Sequence, residues 1–381
     1  MKIAIACDSF KGSCSSMEVA DSIERGFKRI YPDTKFFKIP IADGGEGTVN
    51  ALVSWGKGRY ESIKVLNPLG DEIDASYGII NGDTAIIEMA AASGLTLIAK
   101  DKLNPLITST YGSGQLIKDA MERGLRKIYL GLGGSATNDA GLGMAQALGY
   151  SFRDSQGHEV EAGGGNLHKI VTIDDKKVHP LLKETKIIAL SDVDNPLYGK
   201  DGAAYIFAPQ KGADSHMVEE LDSNLKYFNS IIKEYLEEDI ARTPGAGAAG
   251  GLGFGVMAFC KGQIRSGIDE ILNIVKIDGF LEDSDLVFTG EGRIDGQTKY
   301  GKVPLGVAKR ALKYNVPVIA IVGSAGEGYK ENFDLGIDII LDIVNEPMTL
   351  DQAMDKAAEL IENTGENAAR IFKIIDKVKE R

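Results

Sequence analysis

Lys127-Ile-Tyr-Leu-Gly-Leu-Gly-Gly-Ser-Ala-Thr-Asn-Asp-Ala-Gly-Leu-Gly143 decides how the rest of the chain is read. The apolar run Ile128 to Leu130 predicts a strand. Gly131, Gly133 and Gly134 break it, Ser135, Thr137, Asn138 and Asp139 follow, and a helix is expected through Met144 to Leu148. A strand that dissolves into glycines and hydroxyls before a helix leaves backbone N–H groups unpaired at the helix start. The helix dipole adds partial positive charge there, so the turn suits an anion such as phosphate. A plain capped strand-to-helix turn shares the outline but does not need so many glycines and hydroxyls.

The same rhythm opens the chain. Lys2 to Ala6 reads as a buried strand, Asp8 to Ser13 as a loop, and Ser15 with Glu18 as a capping box for a helix carrying Val19, Ala20, Ile23 and Phe27. Thr34 to Ile39 is a second strand. Ala42-Asp-Gly-Gly-Glu-Gly-Thr48 is a second glycine-rich loop before a helix. A β-α-β-α opening is the mark of a doubly wound parallel sheet. Near Gly58 the texture changes. Arg59 to Val65, Glu72 to Ile80 and Thr84 to Met89 read as strands on short turns, one of them Asn81-Gly.

Thr108 to Arg123 is expected as helix. Tyr150 to Arg153, Lys186 to Leu190 and Ala203 to Phe207 are expected as strands, and Asp214 to Glu238 as a long helix with a solvated acidic face. Arg242 to Gly255 reads as the most flexible segment, a linker or a backbone surface for ligand. Then the α/β rhythm returns, with strands at Leu286–Thr289, Val316–Val322 and Ile337–Ile343 and a helix from Pro304 to Lys313. A closing helix is expected from Leu350 to Glu380, interrupted near Gly365. The expected organisation is one doubly wound domain, residues 1–58 and 270–381, split by an inserted mixed α/β domain, residues 59–269.

A length of 381 residues fits two domains by the usual prior. The net charge of −12, with no basic block, argues against nucleic-acid or membrane partners. It also means that an anionic ligand must be held by local donors or a metal. Cys7, Cys14 and Cys260 lack paired spacing and read as reduced thiols of a cytoplasmic protein. His158, His168, His179 and His216 lack metal spacing and are expected to face solvent. No signal peptide or membrane-spanning run is expected.

Four loops, Asp8 to Ser13, Asp43 to Thr48, Gly131 to Gly143 and Gly290 to Lys302, follow apolar strands. The carboxyl ends of strands in open α/β sheets form ligand crevices, so these loops are expected to converge. A fifth segment, Ser191 to Gly199, carries Asp192 and Asp194 two residues apart, which suits Mg²⁺. An Asx turn before Pro196 would use the same residues. Gly296-x-x-x-x-Gly301-Lys302 is near a P-loop, but Val303 stands where the metal-binding hydroxyl belongs. Arg293 and Lys302 remain as cations for a carboxylate or phosphate. Lys11, at a helix start, is a third. Phosphoryl transfer needs an anion cradle, a metal, cations and a carboxylate that takes the hydroxyl proton. Asp8, Asp43 and Glu46 are the candidates for that carboxylate.

Residues 8–13, 42–48, 131–141, 192–197 and 289–298, in this order, resemble the motifs of the class-I glycerate kinases nearly end to end. Cys7, Cys14 and Ser191 stand where that family more often has other residues, and none of the three changes removes a charge. The resemblance implies a flavodoxin-like domain interrupted by a second α/β domain. It implies ATP-dependent phosphorylation of D-glycerate to 2-phosphoglycerate, although members are often labelled 3-phosphoglycerate-forming. With it, Asp43 or Asp8 takes the hydroxyl proton, and Arg293, with Ser9 and Lys11, meets the glycerate. Gly133, Gly134, Ser135, Thr137 and Lys302 hold the nucleotide, and Mg²⁺ sits on Asp192 with Asp194 beside it. A monomer or homodimer is expected.

Two other readings use the same residues. Gly131-x-Gly-x-x-Ala136, with Asp154 ending the next expected strand, tolerates a nicotinamide dinucleotide, though Asp139 would then lie near a pyrophosphate. A non-catalytic binding protein leaves the charged glycine-rich loops unexplained.

Overall fold

The computed structural model describes residues 1–296, 298 and 302–379. Its strands among these are β1 (Lys2–Cys7), β2 (Lys35–Lys38), β3 (Arg59–Leu66), β4 (Glu72–Ile80), β5 (Thr84–Glu88), β6 (Lys127–Gly131) and β7 (Ser151–Arg153). They continue with β8 (Thr172–Asp174), β9 (Lys186–Leu190), β10 (Gln263–Arg265), β11 (Leu286–Glu291), β12 (Val318–Val322) and β13 (Ile339–Asp342). The chain forms two compact units. The first is Met1–Asp43 with the chain from Ile268 onward, and the second is Gly44–Gly267.

The first unit carries a wholly parallel sheet in the order β13-β12-β11-β1-β2. Counted within the unit this is 2-1-3-4-5, the flavodoxin-like order. Its inner strands β11 and β12 are buried along their whole length, as a sheet covered on both faces requires, while the edge strands β2 and β13 are only partly covered. The helix Ser16–Lys28 starts at the expected capping box: Ser15 N–H donates to Glu18 Oε2 at 2.8 Å and Glu18 N–H to Ser15 Oγ at 3.3 Å. Its buried face, with Val19, Ile23 and Phe27, joins β1, β11 and the C-terminal helix Ala357–Lys379 in one core.

That helix pair meets through glycine. A Cβ on Gly26 would lie 1.9 Å from the Glu362 carbonyl oxygen, so Gly26→Ala forces the helices apart. We expect it to cost about 1–3 kcal/mol in urea unfolding, whereas an exposed substitution on the same helix would cost little. Gly365 serves the same packing against Ile23 and does not interrupt its helix; the break falls at Lys356. Glu380, the expected last residue of that helix, lies outside the described residues.

The second unit has a mixed sheet in the order β10-β9-β6-β5-β4-β3. β3, β4 and β5 are antiparallel, and β5, β6, β9 and β10 run parallel. β7 and β8 form a separate antiparallel pair. The helix Thr48–Trp55, expected in the outer domain, belongs to this unit, because Val49 and Val53 pack on Gly78 of β4. Ala203–Phe207, expected as a strand, is a short helix: Ala203 and Ala204 are buried while Tyr205 and Ile206 face outward. The expected flexible stretch before Gly255 leads into the buried helix Ala248–Cys260. Its glycines are contact points: a Cβ on Gly250 would lie 2.0 Å from the Thr137 carbonyl oxygen. His158, His168 and His216 are exposed, but His179 is half-buried, with Nε2 3.5 Å from Glu122 Oε1.

Candidate active site

In the first unit the strand order reverses between β1 and β11, and ligands of open α/β sheets bind outside the carboxyl ends at such a point. Asp8 follows β1 there, opposite Gly290 and Glu291: its N–H donates to the Gly290 carbonyl at 2.9 Å. Asp8 Oδ1 accepts the Ser9 N–H at 2.7 Å. Burial, then the charge of Asp43, and after these Glu291, push the Asp8 carboxyl up to about 7, with the Ser9 donors working in the opposite direction. Exposed Asp43 is thus close enough to Asp8 to act on its proton.

Lys11 is exposed at the tip of a tight turn closed by Phe10 N–H to the Cys14 carbonyl at 2.8 Å, with Gly12 in the left-handed region. Glu291 is buried and accepts the Thr298 hydroxyl at 2.8 Å. Lys302 Nζ lies 3.4 Å from its other carboxylate oxygen. Burial raises the Glu291 carboxyl and Lys302 counters it. Arg293 is largely exposed, with Nε 3.5 Å from Asp295 Oδ2. Arg293, Asp295, Gly296, Glu327, Gly328 and Glu331 line an open cleft of about 360 Å³. Of the near P-loop, Gly301 lies outside the described residues. The helix Val303–Leu312 starts directly after Lys302.

In the second unit β6 sits between β5 and β9, with Gly131 opposite Glu88 and Leu190. The turn after it exposes Gly133 and Gly134, and Gly134 is left-handed, with φ +75°. Among the described residues no acceptor takes the N–H of Gly133, Gly134 or Ser135. Successive unpaired amides around a left-handed residue make an anion-binding concavity. Small residues are needed here, since a Cβ on Gly133 would lie 2.8 Å from Gly45 Cα and one on Gly131 only 2.3 Å from the Gly44 carbonyl oxygen. The neighbouring strand β9 delivers Asp192, whose Oδ1 accepts the Gly267 N–H at 3.0 Å; Asp194 is exposed. The anion turn and the first carboxylate of the expected metal pair therefore follow adjacent strands. Glu46 lies in this unit. Burial and then Glu46 raise the Glu88 carboxyl, against the N–H groups it caps at the start of the helix Thr48–Trp55.

Thr137, Asn138 and Asp139 are buried behind the turn. Asp139 gathers the N–H groups of Thr110, Gly141 and Gly143 and the Thr110 hydroxyl. It braces the loop from a fully buried position. Thr137 Oγ1 and both amide atoms of Asn138 are buried with no described partner. Lys211 is missing from the sequence reading. It is buried at 1% exposure and donates to Ser135 Oγ at 2.8 Å and to the Thr137 carbonyl at 2.7 Å. Its only forewarning in the sequence is a lysine inside Ala208-Pro-Gln-Lys-Gly212, which looks like any surface turn.

The dinucleotide reading fails on topology. Asp154 follows β7, which pairs with β8 and not with the sheet of β6, and its Oδ1 accepts the N–H groups of Gln156 and His158 in a local turn. No helix among the described residues is long and apolar enough to cross a membrane.

Residues 3–373 match the glycerate kinase family. A glycerate kinase of Bacillus cereus is 50% identical over 98% of both chains. A glycerate 2-kinase of Escherichia coli is 46% identical, again over 98% of both. The crystal structure of a Salmonella typhimurium LT2 protein assigned as glycerate kinase 2 superposes with a TM-score of 0.90 at 44% identity, covering 99% of each chain. The ordered loops, the flavodoxin-like sheet and these likenesses agree: the chain belongs to the glycerate kinase family, and it is an enzyme.

Proposed function

We propose that the protein phosphorylates D-glycerate at its 2-hydroxyl, with ATP as the donor. The observation that carries the chemistry is the Asp8 carboxyl, held at the β1/β11 reversal with its proton affinity raised to about 7. A general base works best when its pKa lies near the operating pH. Asp8 accepts the proton of the 2-hydroxyl as that oxygen attacks the γ-phosphorus. The bond from phosphorus to the β,γ-bridging oxygen breaks, and ADP leaves with that oxygen. Asp43 tunes Asp8 through its charge. Arg293 pairs with the glycerate carboxylate, a task for which a planar guanidinium is suited, and Ser9 and Lys11 complete the substrate's surroundings.

The amides of Gly133, Gly134 and Ser135 hold phosphate oxygens, with Thr137 behind them and Lys302 as a further cation. Asp192 and Asp194 offer hard oxygen donors and would hold Mg²⁺. Mg²⁺ commonly takes one or two carboxylates and completes its shell with water and phosphate oxygens. Bound there, Mg²⁺ supplies charge neutralisation for the phosphates. A cytoplasmic location is in keeping with three free, buried thiols, and a monomer or homodimer would suffice.

A coupled ADP-release assay with D-glycerate, L-glycerate and glycerol, followed by phosphorus NMR of the product, tests this. We expect turnover with D-glycerate, a 2-phosphate product and arrest by a metal chelator. A 3-phosphate product, or equal turnover of glycerol, would overturn the proposed regiochemistry or the carboxylate contact.

A further inference from the structure

The buried lysine behind the glycine-rich turn has no place in the chemistry above, yet it touches two of the turn's residues. An ammonium group has three donors and no acceptor. Lys211 Nζ therefore occupies a lone pair of Ser135 Oγ, and the hydroxyl hydrogen of Ser135 must point elsewhere. Among the described residues nothing accepts that hydrogen. Ser135 is itself anchored: Leu95 N–H donates to the Gly134 carbonyl at 2.9 Å and Ala136 N–H to the Ser93 carbonyl at 3.0 Å. Lys211's second donor fixes the Thr137 carbonyl, so the lysine clamps the turn at two points from behind.

We infer that Lys211 is a positioning residue that commits the Ser135 hydroxyl to donate outward, to the phosphate of the nucleotide. The inference rests on the reading of Gly133 to Ser135 as the phosphate site. It also gives the site a charge-dependent setting. The charged group that faces Lys211 is Asp139, and desolvation outweighs it, lowering the lysine to about 7. Once neutral, the amine has a lone pair that can accept the Ser135 hydrogen. Ser135 then has an inward partner and is lost as a donor to phosphate. ATP binding should accordingly weaken as pH rises through that midpoint.

The test uses Ser135→Ala, Lys211→Met and the double variant of the full chain, with KM for ATP and for D-glycerate measured separately. Each single variant should raise KM for ATP about tenfold, the scale of one hydrogen bond to a charged group, and leave KM for D-glycerate near wild type. The double variant should be no worse than Lys211→Met, because without the lysine the Ser135 hydroxyl is no longer committed to the phosphate; Lys211→Met additionally frees the Thr137 carbonyl. If Lys211→Met does not fold, calorimetric titration of wild type and Ser135→Ala with ATP from pH 6 to pH 9 carries the test. Wild type should lose affinity with rising pH relative to Ser135→Ala, in which the titrations of ATP and Asp139 are unchanged. Parallel pH profiles, or multiplying effects in the double variant, would overturn the role of Lys211 while the phosphate site stands. An unaltered KM for ATP in Ser135→Ala would remove the phosphate site, and this inference with it.

Discussion

Asp8→Asn lowers kcat by about 10²–10⁴-fold, the range measured for loss of a general base, and at the same time makes the protein more stable above pH 7. The rate falls because an amide cannot take the hydroxyl proton. With Asp8 as the proposed base, the ionised carboxylate is the working form, and log kcat/KM is expected to climb as pH rises towards about 7 and then level. The stability change follows from the same shift. The folded-state value lies well above the ordinary carboxylate value near 4. The carboxyl's contribution to folding is therefore fully favourable only below that ordinary value, and it is lost as pH rises through about 7. Above that pH the native state holds an anion that burial, Asp43 and Glu291 all oppose. Asparagine removes this penalty. Asp8 is only half-buried and water screens part of the repulsion, so the gain is on the order of 1–3 kcal/mol. Scanning calorimetry at pH 8 checks it. A flat rate profile between pH 5.5 and 8, with a kcat loss of less than about tenfold, would move proton transfer to another carboxylate, and Asp43 would be next.

Asp139→Ala has the largest expected effect on folding. The carboxylate accepts from Thr110 N–H at 2.8 Å, the Thr110 hydroxyl at 2.9 Å, Gly141 N–H at 3.1 Å and Gly143 N–H at 3.2 Å, with no solvent exposure. Alanine leaves three backbone N–H groups buried without an acceptor. Stranding donors of a charged group in this way costs about 3–5 kcal/mol, a large part of the 5–15 kcal/mol that usually holds a domain together. Urea unfolding should show the midpoint shift with an unchanged slope. A loss under about 1 kcal/mol would mean that the loop is braced by other contacts, and Asp139 would have to be considered for the reaction itself.

The parts of the fold that could be read from sequence are those where local chemistry and tertiary packing demand the same thing. Ser15 with Glu18 caps a helix wherever it occurs, and the alternation in Glu72 to Ile80 marks a strand in a half-covered sheet. The misread segments are those where composition has two physical meanings. Gly245 to Gly255 looks like a freely moving chain, but its glycines bring one backbone onto another, with Gly253 against the Gly245 carbonyl and Gly255 against Ala140. Gly365 misleads for the same reason. Ala-Ala-Tyr-Ile-Phe is apolar enough for a strand, and only packing against the helices Ser215–Leu236 and Ala248–Cys260 makes it helical.

The site divides in the same way. Asp8, Asp43, Asp192 and the glycine turn announce themselves by following strands. Asp139, which counts against a dinucleotide in the sequence, is a brace in the fold. The burial of Glu291 and Lys211 and the contacts they make there are not legible in sequence, because burial by distant residues leaves no mark on a short stretch.

The position of β1 has a consequence for how the protein is made. It lies in the interior of its sheet, between β2, which follows it closely, and β11, which begins only at Leu286. During translation at about 5–20 residues per second, β1 leaves the ribosome on the order of tens of seconds before that neighbour exists. Throughout that interval the nascent chain carries an apolar strand with one open edge, while Gly44–Gly267 can already fold behind it. The amino-terminal segment is thus the natural client of a chaperone, and a stalled or truncated message would release a chain that is folded in its middle and sticky at its start.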